Sequence, residues 1–280
     1  MTEDVKKLYM ISISDALTRK FNIRMMGTGS GRFAMEIGKT PLQKIIDSDM
    51  EYNIACLEII GLIKTLYGLE VKKPKVINGN AMERDEQDNT IDLIITSPPY
   101  LPASSGREDY IIGKLISSTA LGLTNEESTN EFLKESVGSM NNSSESNKDE
   151  LPEEVIELYE WLMKDELRCI KAKPILSYYT SLKRSFKEDY RTLKKDGISI
   201  YIVGKTSTFY KSESKEVLYT VKCDKILKKI AISVGFEIIE TLDVELNKKN
   251  YNARPRSIDK YYETAIIMKK AGTSPTLRNK

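Results

Sequence analysis

The residues best suited to chemistry form a short turn at positions 97–100, Ser97-Pro98-Pro99-Tyr100. Each proline fixes its φ angle and lacks an N–H donor, so the turn is rigid and presents carbonyl oxygens outward. The Ser97 hydroxyl and the Pro98 carbonyl can each accept a hydrogen bond, while the Tyr100 ring offers a flat surface for stacking. This arrangement suits an aromatic ring with an exocyclic amino group. Hydrogen bonds accepted from that group would direct the lone pair of its nitrogen toward an electrophile.

The turn directly follows Ile91-Asp92-Leu93-Ile94-Ile95-Thr96, an apolar run that predicts a buried strand. In a parallel sheet, ligands bind beyond the carboxyl ends of the strands, so a site is expected at this tip. A proline pair also ends a strand in an ordinary turn, and the flanking sequence must decide between the two interpretations.

The wider sequence alternates predicted strands and helices, a pattern typical of crossover connections and a mostly parallel sheet. Seven short apolar runs bounded by turn residues predict strands at 23–26, 43–46, 74–77, 91–96, 198–203, 236–246 and 264–268. Helical periodicity predicts helices at 50–67, 155–170 and 218–234. The last two strands have no clear helix between them, which favours an antiparallel pair with a long connection.

These residues resemble the amino-methyltransferases of DNA, whose catalytic motif is aspartate, asparagine or serine, then two prolines and an aromatic residue. The serine form found here resembles the cytosine-N4 branch more than the adenine-N6 branch. Gly79-Asn80-Ala81 resembles the turn that precedes the family's motif strand, and Leu193-Lys194-Lys195-Asp196-Gly197 resembles the turn before its fifth strand. The similarity covers residues 74–100 and 185–270 in order and spacing.

The resemblance implies an α/β, Rossmann-like methyltransferase with a mostly parallel seven-stranded sheet and a C-terminal antiparallel hairpin. We expect one methyltransferase domain over residues 1–280, with a mobile polar insertion around 136–154, where the sequence is acidic and lacks apolar periodicity. The implied methyl donor is S-adenosylmethionine, and the implied substrate is a DNA base, most favourably cytosine at N4, flipped out of the duplex. Ser97, Pro98, Pro99 and Tyr100 would be catalytic, in a DNA methylation or restriction-modification role.

The cofactor-binding residues are predicted less directly. A glycine run at 27–31 follows an apolar stretch, as in nucleotide sites, and two aspartates follow about 20 residues later, the distance expected of an acid that binds ribose. The candidates are Gly27, Gly29, Gly31, Asp47, Asp49, Asn80 and Ser97. The glycine run has three alternative interpretations: a degenerate cofactor turn, a substrate-side loop with the true cofactor turn on a missing segment or second subunit, or a glycine-rich hairpin.

Arginines near the turn and near the C-terminus are candidates for DNA contacts. Arg107 follows the turn closely, while Arg254 and Arg256 flank a proline in a segment that mixes cations with an aromatic and amide side chains. Lys205 and Tyr210 follow a predicted strand and are candidates for lining the base pocket.

Composition narrows the possible functions. The chain of 280 residues has no histidine, which removes histidine-assisted hydrolases and the commonest metal ligand, so no metal is expected. Three scattered cysteines and the lack of a long apolar segment predict a cytoplasmic protein without a membrane anchor. A net charge of +2 neither requires nor excludes nucleic acid. RNA or protein-amide methylation remains an alternative, as does the catalytic half of a split methyltransferase that is inactive alone.

Overall fold

The computed structural model describes residues 2–25, 33–70, 74–101, 116–125, 148–211, 216–245 and 262–271, and positions 127, 128, 131, 134, 136, 137 and 214. The chain divides into two compact units. Unit 1 comprises Met1–Asn78 and Asp109–Leu133, and unit 2 comprises Gly79–Glu108 and Lys134–Lys280. A single methyltransferase domain over 1–280 stays a prediction.

Unit 1 is built from two helices and a two-stranded antiparallel sheet. Its elements are α1 (Glu3–Lys20), β1 (Phe21–Met25), β2 (Phe33–Ile37) and α2 (Leu42–Tyr67), and residues 116–120 are also helical. Gly68, with φ of 60°, ends α2 in the left-handed conformation that glycine adopts without strain. The two long helices pack together, and the Asn53 amide donates to the Ser12 hydroxyl at 3.0 Å.

Unit 2 contains the predicted reactive turn. Its strands are β3 (Ile91–Thr96), β4 (Leu193–Gly204), β5 (Ser207–Tyr210), β6 (Val217–Val221), β7 (Phe236–Glu245) and β8 (Tyr262–Lys270). Its helices are α3 (Glu153–Met163), α4 (Ala172–Thr192) and α5 (Cys223–Val234), with 3-10 turns at Lys148–Glu150 and Cys169–Lys171. No helix in the described residues combines the length and hydropathy needed to cross a membrane.

Four of these strands form one mixed sheet in the order β3-β4-β8-β7. β3 and β4 are parallel, whereas β8 is antiparallel to both of its neighbours. β5 and β6 form a separate antiparallel pair. β3 is therefore an edge strand within the described residues, and its carboxyl end lies beside that of β4.

The helices of unit 2 cover one face of this sheet. Ile94, Tyr201 and Ile266 point into the covered side and are buried in a core shared with residues of α3, α4 and α5. Phe186 of α4 stacks on Tyr201 with ring centroids 4.5 Å apart. This packing fixes the direction of β3 and β4, and hence the position of the turn that follows β3.

The opposite face is apolar but remains partly exposed. Leu93 and Ile95 of β3 are 52% and 61% exposed, and they lie across from Ile198 and Ile200 of β4 in the register. The apolar surface continues across the sheet through Ile267. Sheets with parallel strands are usually buried on both faces. The exposure of Leu93 and Ile95 shows that the described residues of unit 2 do not cover this face.

The prediction of a mostly parallel, seven-stranded sheet is corrected to a four-stranded mixed sheet in the described residues. Residues 43–46 are helical because they follow Pro41 and continue into the apolar periodicity of α2. Residues 23–25 lie in β1, as predicted, and residue 26 lies outside the described residues. Residues 74–77 form no strand, and Val76 is 93% exposed. The last two strands do pair antiparallel, while their connection at 246–261 lies outside the described residues.

The sequence Leu193–Gly197, predicted as a turn before a strand, is an irregularity within β4. Ile91 lies opposite Leu193 but Leu93 lies opposite Ile198, so β4 accommodates extra residues. Asp196 takes a φ of 65°, and a Cβ at Gly197 would lie 2.9 Å from the Lys194 carbonyl oxygen. Glycine is required there by close packing.

A polar network attaches the segment before β3 to the end of α4. Arg84 pairs with the fully buried Asp189 at 2.6 Å, and Asp189 also accepts hydrogen bonds from Tyr201 at 2.8 Å and Ser199 at 3.3 Å. Burial is the largest influence on the pKa of Asp189 and raises it, while Arg84 acts in the opposite direction. Arg191 donates to the carbonyl oxygen of Arg84 at 2.9 Å. These contacts hold the approach to β3.

The end of the predicted polar insertion is structured. Glu150 pairs with Lys183 of α4 at 3.2 Å, Leu151 is buried in the core of unit 2, and Glu153 begins α3. Residues 138–147 lie outside the described residues.

Candidate active site

The turn at 97–100 extends from the carboxyl end of β3 and is accessible. Ser97 and Pro99 are exposed, while Pro98 and Tyr100 are half-buried. Leu101, the next residue, is only 3% exposed and belongs to the core of unit 2. The turn is thus anchored on both sides, by strand β3 before it and by a buried leucine after it.

The two oxygen atoms predicted to accept an amino group are available in the described residues. There, neither the Ser97 hydroxyl nor the Pro98 carbonyl takes part in a hydrogen bond. Proline at 98 and 99 also removes two N–H groups that would compete for these acceptors. The local geometry is compatible with the chemistry expected from the sequence.

The Pro99 carbonyl, by contrast, is already engaged. It accepts a hydrogen bond from the Tyr178 hydroxyl at 2.9 Å. Tyr178 lies on α4, is 3% exposed, and packs edge-on against Tyr179 with ring centroids 5.0 Å apart. A buried helix therefore holds the second proline of the turn.

The Tyr100 side chain is held at its far end. Its hydroxyl donates to a carboxylate oxygen of Glu263 at 2.6 Å. Glu263 lies on β8, opposite Gly204 of β4 and Val244 of β7 in the register. The ring is thus tied to the beginning of β8, a strand with neighbours on both sides in the sheet.

A charged pair joins the residue that follows β4 to β7. Lys205 pairs with Asp243, whose other carboxylate oxygen accepts from the Thr264 hydroxyl at 2.7 Å. The hydrogen bond from Lys205 is the largest influence on the pKa of Asp243 and lowers it. Lys205 was predicted to line a base pocket, and its ion pair with Asp243 gives it a structural partner. Tyr210, the other residue of that prediction, lies on β5.

The predicted cofactor residues in unit 1 have structural roles where they are described. Asp49 is buried and pairs with Arg19. Asp47 lies exposed on α2 and accepts from the Gln43 amide at 2.8 Å. Gly27, Gly29 and Gly31 lie outside the described residues. The strands on either side of them pair antiparallel, as the hairpin alternative requires.

The cofactor candidates in unit 2 are Asn80 and Ser97. Asn80 uses its side-chain oxygen locally, accepting from the Met82 N–H at 2.9 Å. The assignment of these residues to S-adenosylmethionine stays a prediction.

Three predicted DNA-contacting residues, Arg107, Arg254 and Arg256, lie outside the described residues. No group of three or more metal-ligating side chains occurs among the residues that the structure describes. The sequence did not indicate Tyr178 or Glu263, because their contacts to the turn span 79 and 163 residues along the chain.

No known family model matches the chain, and no curated protein matches it. Among solved structures, it resembles a Thermus thermophilus protein assigned as a DNA modification methylase and complexed with S-adenosyl-L-methionine, at 13% identity and a TM-score of 0.37. That match covers 70% of this chain and 53% of the other. A SAM-dependent methyltransferase from Methanosarcina mazei gives 11% identity and a TM-score of 0.30, covering 69% and 65%. This chain spans about half the length of the Thermus protein, and similarity at this level assigns no activity to it.

Proposed function

We propose that this chain is a methyltransferase that acts on an exocyclic amino group of a DNA base, with cytosine N4 as the favoured target and S-adenosylmethionine as the methyl donor. The observation that carries the proposal is the accessible Ser97–Tyr100 turn, anchored at both ends, with two unengaged oxygen acceptors beside an aromatic ring. The serine at position 97 supports the cytosine-N4 assignment through the resemblance described above. A role in restriction-modification belongs to the same proposal.

The turn's own residues would hold and activate the amino group. Ser97 Oγ and the Pro98 carbonyl each accept a hydrogen bond from one N–H of the amino group. These bonds keep electron density on the nitrogen and aim its lone pair away from the turn. Tyr100 stacks on the base, which must leave the duplex at a cost of a few kcal/mol. Holding the reactants in place contributes to the rate, since orientation can supply about 7–11 kcal/mol of a barrier. S-adenosylmethionine, when bound, supplies an electrophilic methyl group.

The direct test is to incubate the chain with isotope-labelled S-adenosylmethionine and unmodified mixed-sequence DNA, then digest the DNA and analyse the nucleosides by mass spectrometry. We expect labelled N4-methylcytosine, and none from the matched variant Ser97→Ala/Tyr100→Ala. Labelled N6-methyladenine would instead identify the adenine alternative. Label that enters only RNA or protein would contradict a DNA substrate.

A second candidate is favoured by the cofactor residues themselves: this chain would be the catalytic-motif half of a split methyltransferase. Asp49 and Asn80 are committed to contacts within their own units, and β1 pairs antiparallel with β2. β3 is an edge strand, and the sheet face that includes Leu93 and Ile95 lacks cover in the described part of unit 2. A second chain carrying the donor site would have both an edge and a face on which to assemble.

Isothermal titration of the isolated chain with S-adenosylmethionine separates the two candidates. A complete enzyme should bind the donor with one site per chain, whereas the catalytic half alone should give no heat of binding. The Asp49→Asn variant serves as a control for a donor site in unit 1. If the chain binds the donor and this variant binds equally well, Asp49 is not a cofactor ligand.

A further inference from the structure

We infer that Tyr178 and Glu263 are positioning residues that hold the Ser97–Tyr100 turn in its reactive geometry, an inference that rests on the proposed function. Neither residue belongs to the turn or follows from its sequence motif. Each makes one hydrogen bond to it, from a different element of unit 2. Together they fix the two parts of the turn that the prolines leave free to move.

Tyr178 acts on the backbone of the turn. The φ angles of Pro98 and Pro99 are fixed by their rings, but the peptide that joins Pro99 to Tyr100 can still rotate through ψ of Pro99. The hydrogen bond from Tyr178 to the Pro99 carbonyl opposes that rotation. Tyr178 itself is immobilised by burial and by its contact with Tyr179. The bond thus fixes the peptide that leads into Tyr100, and it leaves the Pro98 carbonyl unengaged.

Glu263 acts on the aromatic side chain. A tyrosine hydroxyl that donates to a carboxylate forms a charge-assisted hydrogen bond, stronger than one between neutral groups, and the 2.6 Å separation fits this class. The bond limits rotation of the Tyr100 ring about its two side-chain torsions. Its neighbour Thr264 is bonded to Asp243, so the strand that carries Glu263 is also tied to β7. The stacking face of Tyr100 is preorganised before any base arrives.

These roles predict separate kinetic effects. Without Glu263, the ring must be ordered when the base binds, so the DNA concentration for half-maximal rate should rise about tenfold while kcat changes less. Without the Tyr178 hydroxyl, the Pro99–Tyr100 peptide loses its fixed direction, and the Tyr100 ring loses its placement relative to the acceptor oxygens, so Tyr178→Phe should mainly lower kcat. Glu263→Gln keeps a hydrogen-bond acceptor and should restore KM to within about twofold of the unaltered chain.

The test is a double-mutant cycle on Tyr100→Phe and Glu263→Ala, measured with labelled methyl donor and mixed-sequence DNA. Tyr100→Phe keeps the stacking ring and loses only the hydroxyl, so both single variants remove the same bond. We expect each to raise KM by about tenfold and the double variant to be no worse than either. Glu240→Ala, an exposed glutamate on β7, is the matched control and should leave KM unchanged. Multiplying effects in the double variant, or an unchanged KM in Glu263→Ala, would overturn the inference.

The same four proteins are also unfolded in urea, which separates this inference from the proposed function. If the contact exists, the midpoint of the double variant falls by less than the sum of the two single shifts. Additive midpoints overturn the positioning inference whether or not the chain is active. If the midpoints are not additive but the chain methylates no base, the proposed function is overturned and the contact between Tyr100 and Glu263 is still established.

Discussion

Replacing Tyr100 by alanine is expected to raise the DNA concentration for half-maximal methylation by about 10- to 100-fold, because stacking of a base on an aromatic side chain contributes about 1–3 kcal/mol. The half-buried ring is the flat surface beside the two acceptor oxygens, and no other residue of the turn can replace it. Initial rates over a range of DNA concentrations measure the effect.

Pro98→Ala is the informative comparison for this prediction. Alanine keeps the carbonyl but leaves the φ angle free, so ordering the backbone for reaction costs about 0.4–1 kcal/mol more. If this cost adds to the activation free energy, kcat should fall about two- to fivefold while KM stays nearly constant. If both variants methylate DNA as well as the unaltered chain, the turn is not the reactive site and the assignment of residues 97–100 fails.

Asp189→Ala is expected to lower the free energy of unfolding by about 3 kcal/mol, since removing one partner of a buried pair leaves its other members without compensation. Arg84, Ser199 and Tyr201 all lose an acceptor in this variant. Urea unfolding followed by circular dichroism measures the change. Asp92→Ala, at a largely exposed ion pair with Lys194, is the control and should change stability little.

The pH dependence of this site has a defined sign. Because burial raises the pKa of Asp189 above its unfolded value, the folded state holds that proton more tightly. The stability due to this group is complete below the unfolded pKa, near 4, and is lost as pH rises through the folded pKa. Asp189→Asn removes this titration, so the stability of the unaltered chain minus that of the variant should decrease as the pH rises above about 4. A difference that grows with pH would contradict the raised pKa.

The parts of the fold that the sequence predicted well are those governed by local pattern. The limits of β3 were predicted residue for residue, because a largely apolar run is followed closely by two prolines. The body of α2 followed from its apolar periodicity, although the helix begins earlier, at Leu42. The four-residue run at 43–46 was wrongly predicted as a strand, since so short a run fits the first turn of a helix equally well.

The site was predictable only in its contiguous part. The Ser97–Tyr100 turn is a local feature, whereas Tyr178 and Glu263 reach it through tertiary packing that no spacing rule encodes. The α4 helix that carries Tyr178 was also missed. The cofactor prediction relied on separation along the chain alone, and separation does not reveal that Asp49 is used by Arg19.

The burial of Leu101 bears on how the protein would admit a large flat substrate. A loop that swings over its ligand needs at least one free end, and this turn has neither, because a sheet strand leads into it and a core side chain follows it. The turn therefore offers a nucleobase a surface that is held in place at both ends. If the chain acts as proposed, we expect any opening and closing to be carried by the substrate and by the protein around residues 97–101 rather than by the turn itself.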